Sequence, residues 1–208
     1  LSKCSYITQE IIENNIDLPW SIYWMSLNPN MTLKFVKKYS NWGWNWNYLS
    51  SVIPMKEILS NLDLPWSFML MSRNKGLTMD IIESFPDKNW DWSSISLLPL
   101  VNMDVLNKYP KKIWNWFNVS QNSGITFKDI FNNLDKTWNW YGIVCNPNIS
   151  IRTIIKHPRN LWCWKAISRN KNITMGDITQ YPNRPWDWES VSNNPNLTWE
   201  MVNNYYYK

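Results

Sequence analysis

Residues 185–202 read PWDWESVSNNPNLTWEMV, three tryptophans in eighteen residues, set between polar stretches of turn type. Asn and Pro at 193–196 favour a turn, so the apolar residues on either side belong to pieces too short to bury a core of ordinary aliphatic residues. Such pieces must borrow stability from neighbours. The stretch therefore reads as one tooth of a repeating structure.

Self-comparison supports that reading. Tryptophans stand at 20, 44, 66, 90, 114, 138, 162 and 186, a spacing of 24 residues broken once, by 22 between Trp44 and Trp66. A fixed period of this size marks a tandem array. Each unit runs Trp, polar, bulky apolar, an apolar-Ser pair, an Asn-Pro-Asn-like turn, an apolar-Thr pair, a short apolar-periodic run and an aromatic-Pro exit. The residues after the leading Trp are Ser21, Asn45, Ser67, Asp91, Asn115, Asn139, Cys163 and Asp187, all but the cysteine good helix N-caps. Four positions on come Met25, Leu49, Met71, Ile95, Val119, Ile143, Ile167 and Val191, apolar, so that the leading Trp can close a hydrophobic staple. At Asn28, Asn74, Asn122, Asn146, Asn170 and Asn194 the first helix is expected to end in a left-handed cap, which asparagine tolerates.

The chain then restarts at Thr8, Thr32, Thr78, Asn102, Thr126, Ser150, Thr174 and Thr198, again capping types. Apolar Ile7, Met31, Leu77, Val101, Ile125, Ile149, Ile173 and Leu197 precede these caps. Ile12, Val36, Ile82, Leu106, Ile130, Ile154, Ile178 and Val202 follow four residues later, and the second helix ends near Pro86, Pro110, Pro158 or Pro182. The predicted fold is all-α: one α-solenoid of helix-turn-helix repeats over residues 1–208, with about eight units starting near the eight tryptophans and a partial unit before them. Helices shorter than about 12–15 residues are marginal alone, and a buried tryptophan removes roughly 150–250 Å², which accounts for 17 tryptophans. The second Trp of each WxW pair lies about 200° around a helix from the first, so one is expected to pack within its unit and the other against the adjacent one.

The pattern, clearest in PNRPWDWESVSNNPNLTWEMV (residues 182–202), resembles the tryptophan-rich tandem repeats of uncharacterised proteins from giant DNA viruses related to mimivirus. The resemblance covers essentially the whole chain, and the single alanine, Ala166, fits the AT-rich codon bias of such genomes. It implies viral origin and a repeat scaffold and brings no catalytic residues. The units starting at Trp44 and Trp90 depart furthest: one is two residues short, and the other reads LLPLVN where NNPNLT is the norm.

Residues that could carry chemistry are few. Cys4, Cys145 and Cys163 are an odd number without CxxC spacing, which argues against a disulfide framework and a four-ligand zinc site and for a reducing compartment. The expected setting is intracellular, host cytoplasm or virion. No apolar run is long enough to span a bilayer. The chain begins inside a repeat, so it reads as a fragment and an upstream targeting segment stays open. Four of the five sequons, at Asn30, Asn148, Asn172 and Asn196, share one phase, where Asn closes a turn; only Asn118 lies elsewhere, so a structural role outweighs glycosylation. His157 stands in an aromatic column (Tyr39, Phe85, Tyr109, Tyr181, Tyr205) and reads as a packing substitution. Asp187 with Glu189, and Asp87 with Asp91, are candidate acidic pairs, yet Asp91 and Asp187 are caps. With five glycines and no phosphate loop or metal-ligand spacing, the chain reads as a non-enzyme without a cofactor.

Charge carries more. The net +5 is concentrated in residues 105–176, where eleven Lys and Arg face two acids. Lys38, Lys88, Lys108, Lys112, Lys136, Lys156 and Arg184 fall in two columns without an acid, near the end of the second helix and the following turn, with Lys111, Arg152 and Arg159 nearby. Stacking would align them as a basic stripe, which is either functional or a solvated face that keeps the array soluble. Two after the second cap, Lys34, Asp80, Asp104, Lys128, Arg152, Gly176 and Glu200 vary in charge, which suits protein contacts better than phosphates. Three functions follow: a scaffold that binds a protein partner, nucleic-acid or other polyanion binding through the stripe, or a structural part of a virion or virus-induced assembly. The tail with Tyr205, Tyr206 and Tyr207 is not a polar cap, so further repeats or self-association through exposed repeat ends are expected.

Overall fold

A computed structural model of the chain describes residues 6–157 and 162–196. Every regular element among them is helical. The chain folds as two compact units, Leu1–Leu98 and Pro99–Lys208. The division falls at Leu98, where leucine replaces the column's asparagine.

The first unit contains α1 (Gln9–Glu13), α2 (Ile22–Met25), α3 (Leu33–Lys38), α4 (Trp46–Val52), α5 (Met55–Leu59), α6 (Phe68–Met71), α7 (Met79–Ser84) and α8 (Trp92–Ile95). The second contains α9 (Met103–Lys108), α10 (Trp116–Gln121), α11 (Phe127–Phe131), α12 (Trp140–Cys145), α13 (Ile151–Lys156), α14 (Trp164–Arg169), α15 (Met175–Gln180) and α16 (Trp188–Ser192). Even-numbered helices are Trp-led and odd-numbered ones Thr-led. Within each unit the Trp-led helices pack on their successors, α4 on α6, and α10, α12, α14 and α16 in series. This is the helical repeat solenoid that the spacing predicts.

Capping fixes the helix starts. Thr8, Thr32, Thr78, Asn102, Thr126, Ser150 and Thr174 each accept a backbone N–H from the third residue on, at 3.0–3.4 Å. At Thr126 and Thr174 an aspartate returns the bond and completes a capping box. In the short unit Pro54 stands at the cap of α5 without a side-chain bond. Asn45, Ser67, Asp91, Asn115, Asn139 and Asp187 cap the Trp-led helices. Ser21, read as a cap, has the extended backbone of one but makes no side-chain bond, and neither does Cys163. Thr198, Leu197, Val202, Pro158, Cys4 and Tyr205 to Tyr207 lie outside the described residues.

The apolar columns form the core. Met25, Leu49, Met71, Ile95, Val119, Ile143, Ile167 and Val191 are buried, and so are Ile12, Val36, Ile82, Leu106, Ile130, Ile154 and Ile178. Each leading tryptophan does more than staple. Its indole N–H donates to the carbonyl five residues earlier, at the end of the preceding Thr-led segment, for Trp20, Trp44, Trp66, Trp90, Trp114, Trp138, Trp162 and Trp186 alike, at 2.7–3.0 Å. A helix end leaves carbonyls without partners, and the indole supplies a donor there.

The first helical residue of a Trp-led helix meets the leading tryptophan of the next repeat edge to face. The pairs are Trp46–Trp66, Phe68–Trp90, Trp116–Trp138, Trp140–Trp162 and Trp164–Trp186, with ring centroids 5.1–5.4 Å apart. The second aromatic of each Trp-x-Trp motif thus reaches forward to the following repeat, and the leading one reaches back to the preceding repeat through this ring contact and its indole hydrogen bond, so both cross a repeat boundary where one was expected to.

Two polar columns join successive repeats. Ser26, Ser50, Ser72, Ser120 and Ser168, all fully buried, accept at 2.9–3.0 Å the backbone N–H of the next repeat's cap residue, Asn45, Ser67, Asp91, Asn139 and Asp187. Ser26, Ser50 and Ser72 also donate to the carbonyl four residues back. Asparagine makes the second join, and here the expectation of a left-handed cap is overturned. Asn122, Asn146 and Asn170 have φ near −70° with extended ψ, and among the described residues the only positive φ belongs to Gly43.

The side chain explains the column instead. The Asn146 amide donates to Ser120, Asn122 and Ile125 carbonyls of the preceding repeat, at 2.8–3.0 Å, while its oxygen accepts the N–H of Asn148. Asn28, Asn74, Asn170 and Asn194 repeat the arrangement. The result is a ladder of carboxamides in each unit, buried at Asn28, Asn74, Asn146 and Asn194 and half-buried at Asn170.

Candidate functional site

The stack is held by its buried columns, which leaves the exposed ones to meet a ligand. Lys88 lies in the first unit, exposed, with its ammonium 5.0 Å from the Phe68 ring centre. Lys38 pairs with Glu13 at 2.7 Å, and the hydrogen bond from Lys38 holds the Glu13 carboxyl below its usual range.

In the second unit Lys108, Lys111, Lys112, Arg152 and Lys156 are exposed, and Lys136 and Arg184 half-buried. Lys112, Lys136 and Arg184 each stand two residues before a leading tryptophan, and Lys108 and Lys156 each end a Thr-led helix, so basic side chains recur at two equivalent places of the repeat, with Asn160 interrupting the first series and Asn132 the second. Lys136, Arg152, Lys156 and Arg184 meet no carboxylate among the described residues. Arg159 lies outside those residues.

Other candidates resolve into structure. His157 is half-buried against Phe127 and Phe131, at 4.6 and 5.3 Å between ring centres, the aromatic packing role read from its column. Asn30 donates to the Ile7 carbonyl, and Asn148 to those of Ser123 and Ile125, so these two sequon asparagines brace the preceding repeat. Asp91 and Asp187 cap their helices. Among the described residues no three His, Cys, Asp or Glu side chains gather as a metal site would require.

A second exposed column lies on the Trp-led helices, one that sequence reasoning missed. The second helical position holds Tyr23 and Met69 in the first unit, each 48% exposed, and Phe117 and Tyr141 in the second, 39% and 46% exposed. Phe117 and Tyr141 stack with centroids 6.2 Å apart and planes within 27°. Lys165 continues the column, exposed, on α14. Gly142 beside Tyr141 lets the helices approach: a Cβ there would sit 2.7 Å from the Phe117 carbonyl oxygen. The column hides in the sequence because it mixes Tyr, Asn, Met, Ser, Phe, Lys and Glu. Half its members are large and apolar, which is the signal that could have marked it.

On the Thr-led helices the position of variable charge is exposed throughout: Lys34 and Asp80 in the first unit, Asp104, Lys128, Arg152 and Gly176 in the second. Glu200 is outside the described residues. No helix among the described residues is long and apolar enough to cross a membrane. Comparison with known proteins gives no match to a family model, to a curated protein or to a solved structure.

Proposed function

We propose that the chain is a non-catalytic repeat scaffold that binds a protein partner along its Trp-led helices, in the virus-encoded setting that the sequence resemblance implies. The observation that carries this reading is the exposed, stacked pair Phe117 and Tyr141. Solvent-facing aromatics on a rigid support are the kind of side chain that anchors protein interfaces. The ladders and serine joins hold the helices, so little order remains to be imposed on binding. The exposed variable position of the Thr-led helices offers further side chains that differ from repeat to repeat.

A second reading has its own support. Lys136, Arg152, Lys156 and Arg184 meet no carboxylate among the described residues, and cations recurring at repeat-phased positions suit a polyanion. One experiment weighs both. Partners captured from infected cells are identified by mass spectrometry and purified, and their affinity is measured alongside that for a mixed-sequence single strand across a salt series. Protein binding weakened about tenfold or more by Phe117→Ala with Tyr141→Ala, and only weakly salt-dependent, supports the scaffold. Strand binding that falls steeply with salt and is lost on reversing Lys112, Lys136 and Lys156, with no effect of the aromatic variants on any partner, replaces it with the polyanion reading.

A further inference from the structure

One joint in the second unit lacks two fastenings that the other joints have. Where Ser26, Ser50, Ser72, Ser120 and Ser168 accept the N–H of the next cap residue, the unit starting at Trp138 has Val144, which carries no hydroxyl. The cap residue that follows is Cys163, the one non-capping type in its column, and it makes no side-chain bond to α14. The residue after Val144 is Cys145. Both thiols are free, Cys145 exposed and Cys163 half-buried.

Repeat register places these two cysteines at the end of α12 and at the start of α14, two helices that pack on each other. Each serine join places residue n of one Trp-led helix against the backbone of residue n+19 or, in the short unit, n+17. The same register sets Val144 against Cys163, with α12 and α14 packed on each other. At the position equivalent to Cys145 in the first unit, the long side chain of Arg73 reaches the next helix start, donating from Nε to the Ser94 hydroxyl in the first turn of α8 at 3.2 Å, whereas Gln121 in the second unit turns back to Asn118 of its own helix at 3.3 Å. Partial burial of the sulfur first, and then Cys163, push the Cys145 thiol above its usual pKa.

We propose that Cys145 and Cys163 are a dithiol modification site, closed to a reversible disulfide by a small-molecule disulfide such as glutathione disulfide, which fastens the end of α12 to the start of α14. One protein thiolate attacks a glutathione sulfur, forming a mixed disulfide and releasing one glutathione thiolate. The other protein thiol loses its proton and attacks the protein sulfur of that mixed disulfide, releasing the second glutathione. The protein gives up two electrons and two protons, and the oxidant leaves as two glutathione molecules. The bond replaces the missing polar join with a covalent one.

The test uses the full chain carrying Cys4→Ser, so that only the two thiols remain. After glutathione disulfide treatment, unreacted thiols are blocked and the protein is digested with trypsin without reduction. Cleavage after Lys136, Arg152, Arg159 and Lys165 puts Cys145 on residues 137–152 and Cys163 on residues 160–165. The expected result is these two peptides linked within one chain, formed about tenfold or more faster in the folded protein than in urea, and released by a reductant. The thermal midpoint rises by roughly 5–10 °C. Full alkylation of both cysteines, linkage only between chains, or equal rates in folded and urea-treated protein overturns the proposal. Cys145→Ser and Cys163→Ser, each in the Cys4→Ser chain, must both abolish the midpoint rise; a rise that survives in either also overturns it.

Discussion

Asn146 shows how much a single side chain carries here. Its amide reaches three carbonyls of the preceding repeat and its oxygen closes the turn to Asn148. Few side chains supply two donors and an acceptor in one plane. Asn146→Ala leaves buried carbonyls and an N–H without partners, and is expected to cost about 2–4 kcal/mol in urea unfolding. Asn146→Asp turns a donor group into an acceptor facing carbonyls. It should cost more than alanine at neutral pH and recover as acid protonates the carboxyl, because the charged form is the one disfavoured. A smaller loss for aspartate than for alanine at neutral pH would contradict the ladder. The recurrence of asparagine and its link to a turn were legible in the sequence. Its partners were not, because they lie 21–26 residues back and depend on how the helices stack.

At the scale of the element, short helices live by their ends. Asp187 caps α16 by accepting the Ser190 N–H at 2.8 Å. Its pKa is lowered, first by the Ser190 hydroxyl and then by that N–H. A lowered carboxylate contributes stability above its ordinary value and loses it as pH falls through the lowered one. Asp187→Ala should therefore lower the urea midpoint at neutral pH, and the difference from the parent protein should close as pH falls below the usual aspartate range. A difference that is flat with pH would mean that the charge plays no part in the cap. Helix starts were readable because capping acts over two or three residues. The missing bond at Ser21 was not, since residue type alone does not fix a hydroxyl's direction.

In a repeat array, joints should behave as near-independent terms. Within the second unit, Ser120 joins the repeats starting at Trp114 and Trp138, and Ser168 those at Trp162 and Trp186. Ser120→Ala and Ser168→Ala are each expected to cost about 1–3 kcal/mol by stranding a buried N–H, and their sum should hold within about 0.5 kcal/mol. Ser120→Ala with Asn146→Ala should deviate from additivity, because Asn146 donates to the Ser120 carbonyl. Chemical denaturation of the singles and doubles measures both cycles. Strong coupling between the distant serines would contradict the nearest-neighbour picture.

The sequence by itself determined the period, the alternation of Trp-led and Thr-led helices, the apolar columns that become core, and the basic columns of the second unit. Each follows from forces acting within about one helical turn, or from plain repetition. Only the tertiary structure decided that asparagine works through its side chain and not through a left-handed backbone, that buried serine joins one repeat to the next, and that Phe117 and Tyr141 stack in solvent beside the half-buried Trp116 and Trp140. Those outcomes depend on the distance between stacked helices, a quantity set by all the side chains between them at once and written at no single position.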